Sequence, residues 1–157
     1  YGLSNQLGIP AGEAKQIMES YFERFGGVKR YLDEVVEQAR RDGYTSTVFG
    51  RRRYLPELTS DNRVARENAE RAALNAPIQG TAADIIKVAM LRVDAALADK
   101  QSRVLLQVHD ELVVEVAPGE LDQVRDIVER EMDEAIDLLV PLEVSAGTGG
   151  NWDEAAH

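Results

Sequence analysis

Residues 105–116 read LLQVHDELVVEV, two runs of mostly apolar residues separated by three polar ones. Short apolar, β-branched runs bounded by turn residues are typical of buried strands. The stretch therefore predicts two strands joined by a tight turn that presents His109, Asp110 and Glu111. Two-residue hairpin turns favour pairs such as Asn-Gly, because their central residues need positive φ, and His109-Asp110 is a poor choice by that criterion. We infer that function rather than turn propensity placed these residues there.

Asp110 is the leading catalytic candidate of the sequence. Mg²⁺ takes oxygen ligands and is usually held by one or two carboxylates together with substrate phosphates, so a carboxylate on a rigid strand corner suits it. We predict Asp110 as a catalytic metal ligand. Glu111 has a secondary catalytic role, since a continuing strand would turn its side chain to the other side. The alternative is an ordinary solvated hairpin tip, because polar residues are the norm at turns.

Composition narrows the functional classes. The 157 residues include no Cys, which excludes disulfides and thiolate metal sites and is consistent with a cytoplasmic location. The net charge of −10 argues against nonspecific binding to nucleic acid, which usually needs a basic surface. The charge is uneven, however: residues 28–71 hold ten Lys or Arg against eight Asp or Glu, and residues 118–157 hold two against eleven. This asymmetry predicts one face toward an anion and another toward water.

Periodicity predicts an α+β fold, an antiparallel sheet with helices on one face. Apolar residues at helical spacing predict helices, and alternating or β-branched runs predict strands. We expect a helix that begins near an N-cap at Ser60, kinks at Pro77 and restarts at Gly80, because proline disfavours a helical preceding residue. The other predicted helices cover 10–25, 28–42, 81–98 and 118–139, and the predicted strands besides the 105–116 hairpin cover 44–49, 51–55 and 141–146.

Three consecutive arginines follow the turn of the predicted 44–55 hairpin. Alternate residues of a strand share a face, so Arg51 and Arg53 are predicted to point the same way. The planar guanidinium fork binds two phosphate oxygens at once, and we predict that this pair contacts the phosphates of a nucleic acid. The alternative is an edge strand kept soluble by charge.

A stripe of side-chain donors occupies the helix that follows. Asn68, Arg71, Asn75 and Gln79 are spaced by three, four and four residues, which places them on one helix face. Acceptors in the DNA minor groove are positioned much alike in every base pair. Arg71, Asn75 and Gln79 could therefore test the shape of a base pair without reading its identity. Alternatively, Asn75 and Gln79 satisfy backbone groups freed by Pro77.

Several stretches resemble motifs of the bacterial family A DNA polymerases, in the family's order and over almost the whole chain. They are residues 1–4 (YGLS), 48–56 (VFGRRRYLP), 66–71 (RENAER), 75–84 (NAPIQGTAAD) and 107–113 (QVHDELV). The last resembles the family's third polymerase motif, and YGLS looks like the end of its second. The motif residues that hold the triphosphate, and the other metal-binding Asp, would precede Tyr1.

The resemblance implies a C-terminal fragment of such a polymerase, with residues 1–78 part of the fingers and 79–157 the C-terminal half of the palm. By resemblance, Tyr1 lies beside the incoming nucleotide and His109 contacts the primer terminus. The implied partners are primer-template DNA, deoxynucleoside triphosphates and the rest of the polymerase chain, with Mg²⁺ as cofactor and no membrane. The fragment alone is expected to be inactive.

Two other functions remain open from the residues. One is a noncatalytic nucleic-acid-binding module, which the arginine cluster favours. The other is an unrelated Mg²⁺ hydrolase that uses Asp110, Glu111 and Asp84.

Overall fold

The computed structural model describes residues 2–155, and the predicted nucleotide contact of Tyr1 lies outside them. Helices and two small antiparallel sheets make up the chain, which confirms the α+β class. The residues form two compact units. The first comprises residues 2–46 together with Arg52–Pro77, and the second comprises Thr47–Arg51 and residues 78–155.

The first unit contains three helices, a short hairpin and one 3₁₀ turn before the long helix begins. The third helix, α3 (Gly26–Asp42), is followed by Gly43, whose φ of 79° is the left-handed conformation that glycine adopts without strain. The core of this unit is built from small and aliphatic side chains that include Ala39, Leu58 and Ala73. The elements are α1 (Gly2–Leu7), α2 (Ala11–Arg24), α3 (Gly26–Asp42), β1 (Tyr44–Ser46), β2 (Arg52–Tyr54) and the 3₁₀ turn (Pro56–Thr59).

Helix α4 is uninterrupted from Arg63 to Ala96 and includes Pro77. The predicted restart at Gly80 is therefore wrong. Proline removes one intrahelical hydrogen bond, and the burial of the Pro77 ring offsets part of that loss. The predicted N-cap at Ser60 is also wrong, because Asn62 Oδ1 accepts hydrogen bonds from the backbone N–H groups of Val64 and Ala65, at 2.9 and 3.2 Å.

The second unit contains a hairpin packed against helices. Strand β3 (Arg103–Val108) pairs antiparallel with β4 (Glu111–Glu115), as the sequence predicted. Helix α5 (Leu121–Asp133) follows, and a short α6 (Trp152–Ala155) lies near the end. Buried Val93, Leu97 and Val124 form the core, with Leu112 and Val114 of β4 packed against them.

The third strand predicted at 141–146 is not formed. The segment keeps a strand-like alternation, in which Leu142, Val144 and Ala146 are half-buried and Glu143 and Ser145 are exposed. A strand also needs a neighbouring strand that pairs with its backbone groups, and this segment pairs with neither of the two described sheets. None of the described helices is long and apolar enough to cross a membrane.

Candidate active site

A two-residue turn joins β3 and β4 and places Asp110 at its tip. Val108 lies opposite Glu111, so His109 and Asp110 are the only residues between the paired positions. His109 has a φ of 53°, the one positive φ among described residues other than glycine. A positive φ at the first central residue alone is the sign pattern of a type II′ turn, which favours glycine there. The sequence prediction that His109-Asp110 is a poor turn pair agrees with this geometry.

The side chain of Gln107 supports the turn from one side. Its Nε2 donates a hydrogen bond to the carbonyl oxygen of His109. That bond holds the carbonyl of the residue with the unfavourable backbone conformation. Sequence reasoning missed this contact, since nothing in the order of residues shows that Gln107 turns back over the tip.

A β-bulge in β3 determines which side chains of the hairpin face the core. Val104 lies opposite Val114, but Leu106 lies opposite Val113, so Leu105 is an extra residue. An extra residue reverses the alternation of side chains along its strand. Gln107 consequently lies opposite Leu112, and its side chain is exposed.

The three polar residues of the tip are all exposed. Glu111 already belongs to β4, opposite Val108, whereas Asp110 lies in the turn itself. Neither carboxylate forms an ion pair with a described residue, so both remain available to a cation. Among residues 2–155 no group of three or more His, Asp or Glu side chains is arranged to hold a metal ion. Asp110 and Glu111 can thus supply part of a cation site.

The arginines after the first hairpin turn have different environments. Arg51 Nη2 lies 2.8 Å from Asp84 Oδ1, so its guanidinium is already paired. Arg52 places its guanidinium carbon 4.4 Å from the ring centre of Tyr44, a cation–π contact. Arg53 is exposed and forms no ion pair with any described residue. DNA contact by Arg51 and Arg53 stays a prediction, and of the two only Arg53 has an unpaired guanidinium.

Other basic residues of the chain's middle are also paired locally. Arg40 contacts the carboxylates of Glu37 and Glu70, and Arg63 lies 2.6 Å from Glu67. The hydrogen bond from Arg40 to Glu70 is the largest cause that raises the pKa of Arg40. The basic middle therefore offers fewer unpaired cations than its composition indicates.

The donor stripe lies on the surface of α4. Arg71 and Asn75 belong to the first unit and Gln79 to the second, and all three are exposed. Arg71 Nη2 donates to the side-chain oxygen of Asn68. Neither Asn75 nor Gln79 makes a side-chain hydrogen bond to any residue in 2–155, so within that range they do not satisfy backbone groups near Pro77.

The hydrolase alternative needs Asp84 beside Asp110 and Glu111. Among the described residues these three side chains do not form a metal site. Asp84 Oδ1 is instead paired with Arg51, and the Asp84 side chain is only 12% exposed. The contacts of Asp84 therefore do not support the hydrolase alternative, in which it acts together with Asp110 and Glu111.

Comparisons with known proteins agree with the motifs. Residues 1–154 match DNA polymerase family A. The chain is 65% identical to a DNA polymerase I of Mycobacterium bovis, over all of this chain and 18% of the relative, and 52% identical to one of Streptococcus pneumoniae, over 99% and 18%. A solved structure described as the POL domain of Pol1 from M. smegmatis in complex with DNA primer-template and dNTP superposes with a TM-score of 0.96 at 64% identity. It covers all of this chain and 28% of that one. The chain thus spans about a fifth of the curated relatives' length.

Proposed function

The chain belongs to DNA polymerase family A, and from this premise we propose that it is part of an enzyme that performs template-directed DNA synthesis. The observation that carries the proposal is the tip of the β3–β4 hairpin, where a backbone conformation unfavourable for His109 presents Asp110 to solvent. Strained residues of this kind concentrate at functional sites.

We assign residues 1–78 to part of the fingers and 79–157 to the C-terminal half of the palm. The division of the chain into compact units at Pro77 and Ile78 supports these bounds, apart from the loop Thr47–Arg51, which belongs to the second unit.

The partners proposed are primer-template DNA and deoxynucleoside triphosphates, because the superposed POL domain is in complex with DNA primer-template and dNTP. The rest of the polymerase chain is the third partner, since the chain spans 18% of its relatives. We also propose that the protein is located in the cytoplasm and acts in DNA replication and repair.

Asp110 and Glu111 fit part of a divalent-cation site. Both are exposed carboxylates at the tip of the β3–β4 hairpin, and oxygen is the donor that Mg²⁺ prefers. We propose Mg²⁺ as the ion, with Asp110 as the principal ligand here. In two-metal nucleotidyl transfer, bound cations lower the pKa of the attacking hydroxyl and stabilise negative charge on the leaving group. Two adjacent carboxylates are too few to organise two cations, so the 157-residue chain alone should not extend a primer.

The hairpin and α4 position the DNA in this proposal. His109, beside Asp110, contacts the primer terminus, and Arg71, Asn75 and Gln79 donate hydrogen bonds to minor-groove acceptors. The exposure of all four side chains supports this assignment. Because minor-groove acceptors are nearly independent of sequence, such contacts report pair shape, which is what a copying enzyme requires.

Asp110→Ala in the polymerase that contains this chain tests the proposal. We expect single-turnover primer extension to fall by far more than tenfold, while affinity for primer-template changes by only a few-fold, because the lost interaction belongs to the transition state. Asp94→Ala is the matched control, since Asp94 is an exposed aspartate of α4 without an ion pair among the described residues. Extension by Asp110→Ala within about tenfold of wild type, or ~1.4 kcal/mol, would contradict the metal-ligand role. Retained DNA binding without any extension in the wild-type polymerase would favour a noncatalytic module.

A further inference from the structure

The loop Thr47–Arg51 is closed by its own hydrogen bonds. The backbone N–H of Thr47 donates to the carbonyl of Arg51 at 2.9 Å, and that of Gly50 donates to the carbonyl of Thr47 at 2.9 Å. The N–H of Arg51 donates in turn to Thr47 Oγ1 at 3.2 Å. The loop is therefore a defined local structure that fixes the backbone position of Arg51.

Three polar contacts attach this loop to the neighbouring turn of α4. Arg51 Nη2 lies 2.8 Å from Asp84 Oδ1 and donates to the carbonyl of Gly80 at 3.0 Å. The N–H of Val48 donates to Thr81 Oγ1 at 3.1 Å. The other carboxylate oxygen, Asp84 Oδ2, is buried and has no hydrogen-bond partner among the described residues. Within that range, Arg51 is thus the only group that compensates the burial of the Asp84 charge.

The packing between loop and helix is close at Gly80. A Cβ atom added to Gly80 would lie 2.7 Å from Thr47 Cγ2, a distance that real side chains essentially never show. Glycine inside a helix costs about 0.5–1 kcal/mol relative to alanine. The need for this close approach explains a residue that helix propensity alone disfavours.

The attachment point lies where α4 is locally weakened. Pro77 has no N–H, so the helix lacks one hydrogen bond immediately before this turn. Gln79 lies between Pro77 and Gly80 and is exposed. Contacts from outside the helix at Gly80, Thr81 and Asp84 therefore restrain the turn that carries the Gln79 side chain.

We propose that Arg51 and Asp84 are positioning residues, which hold the Thr47–Arg51 loop on α4 and so orient Gln79 toward the base pair at the primer terminus. The inference rests on the proposed function, since it gives Gln79 a DNA contact to be oriented for. It assigns the Arg51 guanidinium to a protein contact instead of a phosphate. A lysine at position 51 presents a single nitrogen on a flexible chain and is a poor substitute for the guanidinium fork.

A double-variant cycle in the intact polymerase tests the proposal, with the ratio of extension from matched to mismatched primer ends as the readout. Asp84→Asn and Gln79→Ala should each change this ratio in the same direction, by roughly two- to twelvefold, the range for one neutral hydrogen bond. The double variant should match Gln79→Ala alone, because residues that act through one contact are not additive. Asp94→Asn, which neutralises an exposed aspartate of the same helix, should leave the ratio unchanged.

The outcomes of this cycle distinguish failure of the positioning role from failure of the proposed function. An unchanged ratio for Asp84→Asn, or an additive double variant, overturns the positioning role even if the melting temperature falls. A changed ratio for Asp84→Asn with none for Gln79→Ala overturns it as well, because the effect would not pass through Gln79. Failure of the proposed function shows separately, as extension that survives Asp110→Ala.

A second pair of variants tests the close approach and does not depend on charge. Gly80→Ala should shift the matched-to-mismatched ratio, because its Cβ displaces the loop. Thr47→Ser removes the Cγ2 methyl and keeps the Oγ1 acceptor, so the double variant should recover the wild-type ratio. Thr47→Ser alone is the control. An unchanged ratio in Gly80→Ala, or no recovery in the double variant, would overturn the proposal.

Discussion

His109→Gly should stabilise the chain and at the same time weaken primer extension by the polymerase that contains it. Residue 109 occupies a φ of 53° at the tip of the hairpin. A left-handed backbone conformation costs most residues about 1–2 kcal/mol. The cost for His lies toward the lower end of this range, because His tolerates this region better than most residues. Glycine adopts it freely. The hydrogen bond from the Gln107 side chain to the carbonyl of residue 109 is retained in the variant.

The expected gain is reduced by the flexibility of glycine in the unfolded chain, about 0.5–1 kcal/mol. The net stabilisation is therefore up to about 0.5 kcal/mol. For a chain of this size a change of 1 kcal/mol shifts Tm by roughly 2–4 °C, so we expect a rise of up to about 2 °C in thermal unfolding of the 157-residue chain. Primer extension should fall, because the variant loses the imidazole that we propose as a contact of the primer terminus.

His109→Ala separates the backbone from the side chain. Alanine removes the imidazole and keeps the unfavourable φ, so its Tm should not rise, whereas its extension rate should fall as in the glycine variant. A Tm for His109→Gly at or below that of His109→Ala would refute the strain argument. Equal extension rates for wild type and both variants would refute the role of the imidazole.

Three other predictions concern the donor stripe of α4, the contact between Ser102 and Glu120, and the arginine cluster. Arg71→Ala should reduce matched extension more than Gln79→Ala, since a hydrogen bond from a charged donor contributes about 1.5–3 kcal/mol against 0.5–1.5 for a neutral one, and equal losses in single-turnover assays would contradict this. The hydroxyl of Ser102 and nearby backbone N–H groups lower the pKa of Glu120 in the folded chain. The ionised Glu120 carboxylate therefore stabilises the fold at pH values above its unfolded-state pKa, and this stabilisation is lost as pH falls through its folded-state pKa. Glu120→Gln should accordingly flatten the acid side of a plot of Tm against pH, and an unchanged profile would rule the contact out as a source of stability. Arg53→Gln should reduce the slope of log affinity against log salt by about 0.7–0.9, the effect of one phosphate contact, and an unchanged slope would remove Arg53 from the DNA interface.

Local patterns predicted most of the secondary structure, and the failures have a common physical cause. The β3–β4 hairpin and α3 with its glycine stop follow from short-range periodicity and turn chemistry. Continuation of α4 through Pro77 depends on burial of the ring, which is a tertiary property. Segment 141–146 has the alternation of a strand without a paired edge, and pairing is likewise decided by distant residues.

In the candidate site, too, local features could be predicted from sequence, whereas contacts between distant residues could not. The position of Asp110 in the turn could be predicted from sequence because the turn is local and its residues are unusual for a turn. The partner of Arg51 could not, since Asp84 is 33 positions away and nothing in the arginine triplet indicates which member is paired. Gly80 is the one residue whose identity could have hinted at the contact, because a helical glycine indicates a close neighbour.

The net charge of −10 does not oppose a DNA partner once the charges are placed. Interactions between exposed charges are largely screened beyond about 10 Å at 0.1 M salt, so each cluster acts locally. Arg40, Arg51 and Arg63 are paired with carboxylates of the same chain, and many of the acids lie in the last forty residues. Affinity for a phosphate backbone then depends on the few exposed, unpaired cations, of which Arg53 is one. Local pairing, not the sum over the chain, decides whether an acidic fragment can lie beside DNA.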